Sequence, residues 1–88
     1  MNGEPVYVSL DVELTGQRIH NAIKDSGYSV RQIQEMMKLE DPHSVYRWIH
    51  GRSIPSTDNL YKLSRILNVS MESLLCAIGT ADKVDKME

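Results

Sequence analysis

The sequence predicts an all-α domain of five short helices, preceded by a segment with the pattern of a short N-terminal strand. Three observations point there. Between residues 15 and 79, apolar residues recur in blocks at i, i+3 and i+4, the spacing that lines one face of a helix. The blocks open on capping types such as Ser29, Asp41, Ser56 and Ser70, whose side-chain oxygens accept N–H groups that a first helical turn cannot pair. Only residues 5–14 alternate with the period of two that a strand needs. The chain divides accordingly into an arm (1–14), a helical body (15–79) and a tail (80–88) expected to fray.

In chain order, PVYVSLDVEL at 5–14 sets Val6, Val8, Leu10, Val12 and Leu14 on one side and Tyr7, Ser9, Asp11 and Glu13 on the other. A lone strand beside helices has no partner in its own chain. It is expected either to lie extended against the helices or to pair with a second copy. The first helix opens at Thr15 or its neighbour, turns Ile19, Ala22 and Ile23 inward, and stops at Gly27, which suits a left-handed C-terminal position. Ser29 and Gln32 have capping-box spacing for the second helix, whose inner residues are Ile33, Met36 and Met37.

Lys38-Leu39-Glu40 forms a short turn, and Asp41 caps a third helix over 42–50 with Pro42 in its first turn, where the missing N–H costs nothing. Ser56 caps a fourth helix with Leu60, Leu63, Ile66 and Leu67 inside. Ser70 caps a fifth with Leu74, Leu75 and Ile78 inside, ended by Gly79.

Composition narrows the function. A chain of 88 residues makes one small domain that buries about 60% of its unfolded surface. No stretch reads as a signal peptide, and no apolar run approaches the roughly 20 residues that cross a bilayer. Cys76 is the single cysteine, so no internal disulfide forms and a reduced cytoplasmic setting is expected. His20, His43 and His50 lack zinc-ligand spacing, so no metal or other cofactor is expected. No Ser/His/Asp order, phosphate-binding glycine loop or paired carboxylates appear, which argues against an enzyme. The net charge of −2 conceals an uneven spread: residues 16–79 hold eight Lys/Arg against six Asp/Glu, while residues 1–14 hold three acids and no base. So mild a basic excess suits weak DNA binding by one copy, with a shallow salt dependence.

The third helix has the most informative pattern. Val45, Trp48 and Ile49 fall on one stripe, His43, Arg47 and His50 on the opposite side, with Ser44 and Tyr46 flanking. Arg52 follows just beyond Gly51. A helix whose outer face is to enter a DNA groove needs an apolar anchor inside and hydrogen-bonding groups outside. An ordinary surface arginine paired with a nearby acid would leave the same pattern at Arg47.

The second and third helices, joined by a tight turn, make a helix-turn-helix candidate. The stretch GQRIHNAIKDSGYSVRQIQ, followed by VYRWIHGRSIPSTDNLYKLSRILNVSMESLL, resembles the lambda-repressor-like DNA-binding domain of Xre/Cro-type bacterial and phage regulators over about residues 15–79. The resemblance implies that the second helix braces on phosphates while the third reads bases in the major groove. Carried over by position, Pro42, His43, Ser44 and Arg47 would face bases, and Ser29, Val30, His50, Gly51 and Arg52 would lie along the sugar-phosphate chain. It further implies a sequence-specific double-stranded DNA binder acting as a transcriptional regulator, of repressor type; because one copy offers so few phosphate contacts, a homodimer is expected. The alternative is a protein-interaction module, antitoxin-like or an adaptor, that keeps the fold and binds a protein partner. Three departures stand out: Gln34 replaces a small residue, the turn at 37–41 is longer and lacks glycine, and Val30 and Pro42 replace glutamines.

Overall fold

The computed structural model describes residues 8–79. The expected strand residues 5–7 and the tail 80–88 lie outside that range. Within it the chain runs β1 (Val8–Leu10), α1 (Val12–Ser26), α2 (Val30–Met37), α3 (Ser44–Ile49), α4 (Thr57–Leu67), a single 3₁₀ turn (Glu72–Leu74) and β2 (Ala77–Gly79). The domain is mostly helical, as expected, but among the described residues it has four α-helices rather than five, and a two-stranded sheet. Among the described residues no helix is long and apolar enough to cross a membrane.

The caps set the helix boundaries. Asp11 Oδ1 accepts the Leu14 N–H at 2.9 Å, so α1 begins at Val12 and not near Thr15. Gly27 ends α1 at φ +88°, donating its N–H to the Lys24 carbonyl. Ser56 accepts the Asn59 N–H at 3.2 Å and starts α4. From these helices the buried core takes Ile19 and Ile23, Ile33 and Met37, Val45 and Trp48, and Leu60, Leu63 and Leu67, with Leu74 from the 3₁₀ turn. Each such side chain contributes on the order of 2 kcal/mol by leaving water. Met36 departs from its expected inner position and is 43% exposed. Met37 is the one that falls nearly in line with Ile33, four residues on, and it fills the place.

The expected fifth helix is overruled by contacts from far along the chain. After the 3₁₀ turn Leu75 is extended, at φ −103° and ψ 142°. The Cys76 N–H donates to Thr15 Oγ1 at 3.0 Å, and its carbonyl accepts the Asp11 N–H at 2.7 Å. Arg18 Nη1 donates to the Leu75 carbonyl at 2.9 Å. Backbone groups that a helix would pair internally are thereby committed to the start of α1. The strand is likewise not without a partner in its own chain: β1 pairs antiparallel with β2, Ser9 opposite Ile78. Ile78, expected inside, stands 43% exposed on this ribbon.

Helix α1 packs against α3, and Gly16 lets the two backbones approach closely. A Cβ there would sit 2.4 Å from the Trp48 carbonyl oxygen and 3.1 Å from both the Ile49 carbonyl oxygen and the Gly51 nitrogen. Those are backbone atoms, which cannot swing aside as a side-chain tip would. Replacing Gly16 with Ala should therefore cost about 3 kcal/mol or more in urea denaturation. Gly27→Ala meets open space, so it should cost only the left-handed strain, about 1 kcal/mol. Equal losses in the two variants would contradict the close approach.

Candidate nucleic-acid interface

Helix α2 opens with a complete capping box: Ser29 Oγ accepts the Gln32 N–H at 3.0 Å, and Gln32 Oε1 accepts the Ser29 N–H at 2.8 Å. It ends at Lys38, which takes the left-handed conformation, φ 52°, that glycine adopts at lower cost. That is how the turn manages without glycine.

The turn itself is built around Asp41. Its Oδ1 accepts the His43 N–H at 2.8 Å, and its carbonyl accepts the Ser44 N–H at 3.2 Å. Pro42 and His43 are spent on this tight turn, with His43 at φ −110° and ψ 8°. The helix expected over 42–50 therefore starts two residues later and is only six residues long. From α2, Gln34 reaches across the turn. Its Nε2 donates to the Asp41 carbonyl at 3.0 Å, while its Oε1 accepts the Val45 N–H at 3.0 Å. One side-chain amide thus satisfies a turn carbonyl and one of the N–H groups that the start of α3 leaves unpaired.

The expected site residues fall as follows. His43, Arg47 and His50 are exposed on one side of α3, with Val45 and Trp48 buried on the other. Pro42 is exposed in the turn, and Ser44 is half-buried at the first helical position. Ser29 is exposed at the start of α2, and Val30 beside it is half-buried against the core. The Gly51 N–H donates to the Trp48 carbonyl at 3.1 Å, so this residue serves the turn after α3. Arg52 is exposed beyond it and ties its own N–H to the Arg47 carbonyl at 2.9 Å.

Arg47 does not stand alone. Its Nη2 pairs with Asp41 Oδ2, both side chains a little under half exposed. The His43 N–H, and after it the Arg47 guanidinium, hold the Asp41 carboxyl below its ordinary value of 3.8. Two other ion pairs, Arg31–Glu35 at 3.4 Å and Lys62–Asp58 at 3.5 Å, lie on exposed helix faces and contribute little. Sequence reasoning allowed for a nearby acid beside Arg47 but did not identify it as Asp41, and it missed Gln34 as a brace. Neither pairing follows a fixed helical spacing, because the turn intervenes.

The helix-turn-helix family model matches residues 19–74, from the middle of α1 to the 3₁₀ turn. The chain belongs to the Xre and lambda-repressor-like helix-turn-helix family. No curated protein and no solved structure gave a match. The family is one of DNA-binding transcription regulators. Double-stranded DNA is accordingly its ligand class.

Two outcomes test this geometry. Gln34→Ala strands the Val45 N–H and should lower stability by about 1–3 kcal/mol in chemical denaturation. Gln34→Glu keeps that acceptor and should fall between. Because folding lowers the Asp41 pKa, its contribution is full above the ordinary carboxylate value and fades as pH falls through the folded one. An NMR titration should find the Asp41 midpoint under 3.8. Arg47→Ala should move it up only part of the way, since the His43 N–H remains.

Proposed function

We propose that this helix-turn-helix domain is a sequence-specific transcriptional repressor that reads double-stranded DNA through α3. The observation that carries the reading is the two-sidedness of α3: Trp48 is 5% exposed and Val45 fully buried, while His43, Arg47 and His50 on the opposite side are open. Arg47 offers a planar fork to guanine O6 and N7, and His43 and Ser44 offer shorter polar contacts. Pro42 contributes apolar contact alone. Ser29, Val30, His50, Gly51 and Arg52 are assigned to the sugar-phosphate chain, where they fix register without reading sequence.

So few cations give one copy only a handful of phosphate contacts, and nanomolar binding then calls for two copies. A homodimer on inverted half-sites about 34 Å apart meets that need. The sheet end of the domain, where Leu10, Leu14 and Ile78 are exposed, is the surface we assign to the second copy.

A second reading, a protein-interaction module that keeps the fold, draws on the acids beside this face. Glu35 and Asp41 occupy Arg31 and Arg47, and Glu40 adds a third carboxylate in the turn.

Selection of duplexes from a random pool, followed by fluorescence anisotropy, separates the two. The repressor reading expects palindromic sites bound by two copies. Arg47→Ala should reduce preference for the selected site by about 10–100-fold. Arg52→Ala should weaken all duplexes alike and flatten the salt slope by about one. Failure to enrich any duplex, with a protein partner co-purifying, would favour the interaction module.

A further inference from the structure

We propose that Asp41 is a specificity-determining residue: its carboxylate holds one edge of the Arg47 guanidinium and presents the other edge, complete, to a base pair. This rests on the reading that Arg47 contacts bases, and it gives that contact a built-in positioning residue.

The position of Asp41 is unusually well fixed for a turn residue. Its carbonyl is held by Gln34 Nε2 and the Ser44 N–H, and its Oδ1 by the His43 N–H. Only Oδ2 is left to face outward, and Arg47 Nη2 meets it. By contrast, the Arg31–Glu35 pair links two side chains that are 83% and 65% exposed. A carboxylate anchored at both its backbone and its first oxygen is a fixed point to which a flexible arginine can be referred.

The chemistry of the guanidinium then decides what is left over. Its Nη2 carries two N–H groups, one shared with the Nε–H edge and one with the Nη1 edge. A single bond to Asp41 occupies one edge, and a full two-donor edge remains for guanine O6 and N7. Holding the arginine in place beforehand reduces the side-chain freedom lost on binding. The same carboxylate opposes close approach of phosphates, so it weakens indiscriminate binding while it steadies the specific contact. Both effects raise the ratio of specific to random affinity.

Asp41→Asn separates these roles. The amide oxygen still accepts the His43 N–H, but an NH₂ group now faces the guanidinium. The full chain and its Asp41→Asn, Arg47→Ala and double variants are titrated with a selected duplex and a random one, with thermal melts checking the fold. Asp41→Asn should lower the specific-to-random ratio about tenfold, with random-duplex affinity unchanged or higher. It should have no further effect in the Arg47→Ala background. An unchanged ratio overturns the proposal, as does an equal loss when Arg47 is already absent. If Asp41→Asn melts below the assay temperature, Asp41→Ser, whose hydroxyl can also accept the His43 N–H, takes its place under the same criteria. Wild-type chain that prefers no duplex overturns the DNA reading along with this one, whereas wild-type preference kept in Asp41→Asn overturns the positioning role alone.

Discussion

The side-chain amide of Gln34 decides where the third helix points. The turn leaves a carbonyl and an N–H facing the same neighbouring helix, and a side-chain amide, with a donor and an acceptor on separate atoms, meets both at once. Gln34 ties the turn and the start of α3 to the body of α2. Below this brace Val45 and Trp48 fix the rotation of α3 about its own axis, because both must face the core. Rotation and direction together determine which residues look outward. The departures from the family pattern are therefore linked: the longer turn, the left-handed Lys38 and the large polar Gln34 fit as a set.

Electrostatics works in the opposite direction from the usual basic surface. Glu35 on α2 and Asp41 in the turn before α3 engage the cations Arg31 and Arg47. A domain so weakly charged gains little from counterion release, so its contacts must be discriminating if it is to hold DNA at all. That is the setting in which one anchored acid beside one arginine has an outsized effect on which duplex is held.

Much of this was legible in the residues, and the rest shows where local reading stops. The caps at Ser29 and Ser56 and the glycine stop at Gly27 depend on neighbours three or four places away, and all appear where the sequence puts them. The inward Trp48 and outward Arg47 follow from helical phase alone. Residues 75–79 could not be read the same way: their backbone is claimed by Asp11, Thr15 and Arg18, near the other end of the chain. An apolar spacing that suits a helix survives there only as far as Leu74. The start of α1 was hidden for a related reason, since the alternation from Val6 to Leu14 runs straight through Asp11 and masks it as a cap. Site residues were visible as a face, while the links that orient them, Gln34 and Asp41, cross a turn whose geometry no periodicity reports.

The pairing of Val8 with Gly79 gives the domain a nearly circular connectivity. Its first and last described segments are held to one another beside the start of α1, where the Asp11 N–H and the Thr15 hydroxyl bond to the backbone of Cys76. The ribbon is thus a latch between segments far apart in the sequence. A nascent chain halted before Cys76 would leave the Thr15 hydroxyl and the Asp11 amide without their partners, and the two halves of the molecule unlatched.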